Sequence, residues 1–313
     1  MFYMKKFIFF VILVCFSLIT RAQQDPQFSQ NMFNILFVNP AFAGTDKDIQ
    51  ASAINRQQWV GIENAPVTTV FNLSTPIKFM GSDHGIGLTI LSDKLGLEEN
   101  TAMRFNYAYR KKIQKGSLNF GFSIGFQNNS LQGDWYIPDG DDYTSAESDL
   151  GSASVDDSKL VFDLGLGIYY KTNNFYVGTS VSHLNKPNIG YNDEIETYLA
   201  RHYYAMAGYR YDLNESWEIL PSVFYKTDAT VSQIDVNTNI RYNKKIWGGV
   251  SYRVDDAIVG IVGVLFNNGI QVGYSYDVPT SNISSGSHEF LLAYRFNAKL
   301  EIQNQKYKSV RFL

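Results

Sequence analysis

An antiparallel transmembrane β-barrel of about fourteen strands is the fold class this sequence predicts. Three observations point to it. Segments of alternating polarity recur along most of the chain, an export signal precedes them, and the connections between them alternate long and short. The closing segment, Ser287 to Phe296, shows the alternation most clearly. His288, Phe290, Leu292, Tyr294 and Phe296 fall on one face of a strand, and Glu289, Leu291, Ala293 and Arg295 on the other, because successive side chains of a strand point to opposite sides. One face is apolar and aromatic and the other carries charge, which suits a wall with lipid outside and a polar lumen inside.

The first element is a signal peptide over residues 1–22. Lys5 and Lys6 precede the apolar run Phe7 to Ile19, and Thr20-Arg21-Ala22 offers a small-x-small site for cleavage after Ala22. The run is too short for a comfortable membrane helix, which takes roughly 20 residues. Leu13-Val14-Cys15 lacks the small residues expected before a lipid-modified cysteine. Cys15 is the one cysteine in the chain, so the mature protein is expected to have none and a disulfide framework is excluded. Lys5, Lys6 and Arg21 leave with the signal and no acid does, so the mature chain is more acidic than the formal −3 of the whole sequence. That balance argues against nucleic acid as a partner. Mean hydropathy is −0.18, a value typical of soluble proteins, but in a barrel only alternate residues meet lipid. The 21 tyrosines and 22 phenylalanines beside only 18% charged residues speak for a lipid face and against a soluble secreted β-sandwich.

Residues 23–46 come next. Phe28, Met32, Phe33, Ile35, Leu36, Phe37, Val38 and Phe42 make this segment too apolar to hang free in water. It is expected to plug the lower mouth of the barrel or to pack on a periplasmic partner. The barrel is assigned to residues 47–296, with strands near 49–59, 66–75, 84–93, 101–112, 116–128, 159–171, 174–184, 200–212, 217–227, 233–242, 245–253, 257–266, 269–278 and 287–296. Each has about the length of a tilted crossing, roughly 9–11 residues. Leu118, Phe120, Phe122, Ile124 and Phe126 oppose Asn119, Gly121, Ser123, Gly125 and Gln127, and Ile234, Val236, Thr238, Ile240 and Tyr242 oppose Asp235, Asn237, Asn239 and Arg241. No helix of consequence is expected. Strand one should close against strand fourteen, since each unpaired backbone group in lipid costs several kcal/mol.

The connections set the orientation. With the first strand rising from the periplasm, Ile113-Gln114-Lys115, Thr172-Asn173, Asn214-Glu215-Ser216, Asn243-Lys244 and Asn267-Asn268 become periplasmic turns, tight and polar. The longer connections 129–158, 185–199 and 279–286 fall outside, as barrels of this type arrange them. An even strand count puts both chain ends in the periplasm. Tyr109-Arg110, Tyr209-Arg210, Arg241-Tyr242 and Tyr294-Arg295 end the descending strands. The tyrosines read as an aromatic girdle at the interface. Arg110, Arg210, Arg241 and Arg295 read as a ring at the periplasmic mouth, either paired with lumenal carboxylates such as Asp163 or Asp235 or free for docking and selectivity.

Sites of chemistry are sparse. His84, His183, His202 and His288 show no metal-ligand spacing, and neither G-x-S-x-G nor H-E-x-x-H occurs. No catalytic, cofactor-binding or metal-ligating residues are assigned, and no enzyme is expected. The acidic connection 129–158 contains Asp139-Gly140-Asp141-Asp142, which offers oxygen ligands to calcium without an EF-hand spacing and reads more simply as a solvated loop. In the connection 185–199, Tyr191, Ile195, Tyr198 and Leu199 are apolar for an exposed segment. They are expected to fold into the barrel mouth or to meet an external protein. The tail 297–313 lies beyond the last strand. Lys306, Tyr307, Arg311 and Phe312 make it a candidate dock for an acidic periplasmic surface, the alternative being a frayed end.

Three stretches carry a family resemblance. They are Gln24-Asp25-Pro26-Gln27-Phe28-Ser29-Gln30-Asn31-Met32-Phe33-Asn34 running into Asn39-Pro40-Ala41-Phe42-Ala43-Gly44; Arg56-Gln57-Gln58-Trp59-Val60-Gly61 followed by Ala65-Pro66-Val67-Thr68; and Gly85 to Gly96 with Ser92-Asp93-Lys94-Leu95-Gly96. With the closing Gly286-Ser287-His288-Glu289, they resemble the PorP/SprF family of outer-membrane proteins tied to the Bacteroidetes type IX secretion system and gliding motility. Asn64 stands where that pattern has Gly before Ala-Pro. The resemblance implies a non-enzymatic outer-membrane barrel that helps export or anchor a large cell-surface adhesin bearing a type IX C-terminal signal domain. It also implies contact with a periplasmic protein of the machine. The alternative is an ordinary porin or transporter.

Overall fold

A computed structural model of the chain describes residues 25–46, 48–132, 156–190, 197–281 and 285–296. Fourteen antiparallel strands form one closed ring. They are β1 (Ile49–Gln57), β2 (Val67–Phe79), β3 (Ser82–Leu95), β4 (Glu98–Ile113), β5 (Gly116–Gln132), β6 (Asp156–Lys171), β7 (Phe175–Ser182), β8 in two pieces (His202–Tyr209 and Tyr211–Asp212), β9 (Trp217–Thr227), β10 (Ser232–Tyr242), β11 (Ile246–Arg253), β12 (Ala257–Leu265), β13 (Ile270–Pro279) and β14 (Ser287–Phe296). Each strand pairs with its sequence neighbours. The ring closes where expected, β14 on β1, in register from Ile49 opposite Phe296 to Gln57 opposite His288. Among the described residues no helix is long and apolar enough to cross a membrane.

The two faces separate as the alternation requires. On β14, Phe290 and Leu292 are exposed while Glu289 and Leu291 are buried. On β5, Phe120, Phe122, Ile124 and Phe126 point outward, and Asn119, Ser123 and Gln127 are buried in the lumen. Tyr109, Tyr209, Tyr242 and Tyr294 are all exposed on the outer face. Tight turns gather at one end of the barrel and the long connections at the other. The strands β3 to β6 run longer than expected, with 14, 16, 17 and 16 residues, where a crossing needs roughly 9–11. In β5 and β6 the extra length lies at the long-loop end, and in β4 most of it does.

The segment from Asp25 to Asp46 lies inside the lumen. It forms three short helical turns, Asn31–Phe33, Ile35–Val38 and Pro40–Phe42, and descends from the long-loop end, at Asp25, to the turn end, at Thr45. It therefore occupies the height of the barrel rather than the lower mouth alone, and its first described residue sits at the opposite end from the last residue of β14. Apolar side chains explain the fit. Phe28 and Phe37 pack with Ile54, Val70, Leu91, Ala102 and Leu291 of the wall. Ile35 and Ala41 pack with Tyr169, Tyr204, Met206 and Phe224. Two glycines let the backbones touch: a Cβ on Gly85 would lie 1.9 Å from the Ala43 carbonyl oxygen, and one on Gly121 2.0 Å from the Ala41 nitrogen.

Candidate functional site

The polar residues of the lumenal segment engage the wall at two charged clusters. The first is centred on Ser29. Its hydroxyl donates to the Asp277 carboxylate at 2.7 Å and accepts from Arg56 Nη1 at 2.8 Å and Arg253 Nη2 at 3.1 Å. Arg56 also pairs with Asp277 at 2.7 Å and Glu289 at 3.3 Å, and Arg253 with Asp235 and Asp277 at 3.2 Å each. Glu289 in turn accepts the main-chain N–H groups of Ser29 and Gln30 at 2.7 and 2.8 Å. Gln27 and Asn31 donate to Asp235. All these wall groups are nearly fully buried. Charges so far from water persist only when paired and hydrogen-bonded, and the segment supplies the missing partners.

The second cluster is centred on Asp25. One carboxylate oxygen receives His183 Nε2 at 2.9 Å, and the other receives the hydroxyls of Ser182 and Tyr204. His183 Nδ1 faces Asp163 at 3.0 Å, which also pairs with Arg104 at 3.3 Å. The main-chain N–H of Asp25 donates to His202 Nε2 at 3.1 Å, and Lys226 donates to its main-chain oxygen at 2.9 Å. Burial alone would raise the Asp25 carboxyl, but the facing His183 and His202 and, further off, Arg104 hold it well below the usual carboxylate range. Burial would lower His183, yet Asp25 and Asp163 on either side push its imidazole up to about 9. An imidazolium clasped by two carboxylates thus ties the segment to the wall. Above it, a cavity of about 730 Å³ opens at the long-loop end.

At the turn end, Asp46 pairs with Lys171 at 2.5 Å. Burial raises its carboxyl, but Lys171, with Arg295 and Gln50, brings it below the ordinary value. Three of the four arginines read as a ring take separate partners. Arg110 donates to the Thr45 carbonyl at 3.2 Å, Arg210 pairs with Asp212 at 3.4 Å, and Arg241 with Glu218 at 2.5 Å. Neither Asp163 nor Asp235 is their partner; those carboxylates serve Arg104 and Arg253 higher in the lumen. Arg210, Arg241 and Arg295 share a second cavity of about 280 Å³ with Lys171, Lys244 and Trp247, and Arg110 does not line it.

The described ends of the connection 185–199 turn inward. Ile189 and Leu199 pack on Val161, Asn188 bridges Tyr198, and Tyr198 is 42% exposed. Tyr191 and Ile195, the acidic stretch with Asp139, Asp141 and Asp142, and Lys306, Tyr307, Arg311 and Phe312 lie outside the described residues.

Spacing in the sequence gave no hint that Asp25, His183 and His202 meet, because they are far apart in the chain: His183 is 158 residues from Asp25. The one signal was the Gln24 to Asn34 stretch, whose Asp25, Gln27, Ser29, Gln30 and Asn31 make these contacts.

Among solved structures, the Acinetobacter baumannii outer membrane protein Omp33 is 9% identical, with a TM-score of 0.48 over 81% of this chain and 100% of its own. The KdgM porin is 10% identical, with a TM-score of 0.38 over 79% and 99%. Similarity at this level carries nothing over to this chain. No curated protein sequence matches. The model of the family described as "Type IX secretion system membrane protein PorP/SprF" matches residues 20–294. A match of that extent takes in the lumenal segment and nearly every strand of the wall, and on it the chain belongs to the PorP/SprF family of type IX secretion system membrane proteins.

Proposed function

We propose that this barrel is a non-enzymatic outer-membrane component of the type IX machinery that helps export or anchor a cell-surface adhesin, rather than a porin. The occupied lumen carries the reading. A porin needs a continuous aqueous path, whereas here Asp25 to Asp46 runs through the barrel and is held along the way by hydrogen bonds to buried carboxylates and by ion pairs. A wall closed in this way suits a protein that works by holding partners at its two ends. A periplasmic protein of the machine belongs at the turn end, where basic residues line the cavity. The adhesin, through its C-terminal signal domain, belongs at the long-loop end.

Planar-bilayer conductance tests the choice. The intact protein is expected to show no steady pore, and deletion of residues 25–45 to produce one. A large, stable conductance from the intact barrel would return the porin reading. In cells, loss of the protein is expected to abolish surface display of the adhesin while other outer-membrane proteins remain in place.

A further inference from the structure

We propose that Asp25, His183 and His202 form a divalent transition-metal site of the zinc type, which pins the lumenal segment to the wall at the ends of β7 and β8. The donor set is the first reason. Two imidazoles and a carboxylate have ligand atoms that all lie within 4.8 Å of one another, and imidazole with carboxylate suits zinc and its late first-row neighbours.

The surroundings of the two rings are the second reason. A metal-bound histidine usually donates its other ring N–H to a carboxylate or a main-chain carbonyl, which fixes the tautomer and aims the free nitrogen at the ion. Both rings have that arrangement. His183 Nδ1 faces Asp163 at 3.0 Å, and His202 Nδ1 faces the Ala200 carbonyl at 3.0 Å. His183 Nε2 then lies 2.9 Å from the Asp25 carboxylate, while His202 Nε2 lies 3.1 Å from the Asp25 main-chain nitrogen and the His202 ring stands 4.0 Å from the other carboxylate oxygen at its Nδ1.

Backbone and access agree. His183 takes φ 52, in the left-handed region, which a residue other than glycine adopts uncommonly and which recurs at functional sites. This turn at the end of β7 carries its ring into the lumen, where it is 1% exposed. The cavity at the long-loop end is lined by all three residues, so an ion can reach them. Three protein ligands leave a fourth tetrahedral position for water or a partner's side chain. The nearby cations are already engaged, Arg104 by Asp163 and Lys226 by the Asp25 carbonyl. On binding, the ion takes the place of the proton between His183 and Asp25, and His202 Nε2 exchanges the Asp25 N–H for the metal.

The test uses the mature full-length barrel in detergent, without a polyhistidine tag and stripped with EDTA. Cobalt(II) is titrated by visible absorption, followed by zinc(II). One cobalt per chain with tetrahedral ligand-field bands, displaced by zinc, is expected. Asp163→Asn, which alters the far side of the His183 ring and also weakens the pairing with Arg104, should weaken binding about 10–100-fold, and His183→Ala and His202→Ala should weaken it more. His84→Ala, on a ring that faces Tyr107, should leave it unchanged. Heat-modifiable gel mobility checks that each variant is folded. The proposal is overturned if the wild-type protein binds no stoichiometric cobalt, or if folded His183→Ala and His202→Ala bind it undiminished.

Discussion

At the scale of single residues, Ser29 is the most constrained side chain of the lumenal segment. A hydroxyl has one proton to donate and two lone pairs, and here all three are used, by Asp277, Arg56 and Arg253. Ser29→Ala would leave buried charged groups short of a partner, a loss of about 1–3 kcal/mol. The expected readout is a lower midpoint of denaturant unfolding in detergent, largely restored by Ser29→Thr. An unchanged midpoint would mean that the hydroxyl is not holding the cluster. The sequence singled out the stretch around Ser29 as a signature but could not assign this role. The partners lie up to 260 residues away, and only the ring closure of β14 on β1 brings them together. The helical turns of the segment were equally hidden, since an apolar run of this kind is read as a plug without showing how it folds.

At the scale of elements, alternation gave the strands that face lipid on one side and water on the other. The segments at 217–227 and 287–296 match the observed β9 and β14 end for end. It fell short where neither face is apolar: β5 continues through Asn128-Asn129-Ser130 to Gln132, a mostly polar stretch with no apolar face to mark it. Period two also reports the side of a residue and not its height, so the mouth arginines were matched to carboxylates that lie further up the lumen. The outward face of β14 is open to a direct test. Phe290→Arg or Leu292→Arg near the bilayer midplane should cost about 2–4 kcal/mol and reduce the folded, membrane-inserted fraction, while the conservative exchange Phe290→Leu should not. Normal insertion of both arginine variants would refute the face assignment.

At the scale of the whole molecule, the orientation in the membrane follows from the uneven connections. Single cysteines at Thr230, in the β9–β10 turn of the long-loop end, and at Lys115, in the β4–β5 turn, both exposed, place one thiol at each end. An impermeant thiol reagent on intact cells is expected to label Thr230→Cys and spare Lys115→Cys, and the opposite pattern would invert the barrel. The lumenal segment has one more consequence, for assembly. Its anchors Ser29 and Gln30 depend on Glu289, in the last strand to be made, so the segment cannot settle until the final hairpin is in place. Contacts between such distant parts of a chain are slow to form, because the long loop must be closed before they reward it. Residues 25–46 are therefore held waiting through synthesis and insertion, and their docking marks the moment at which the cylinder is complete.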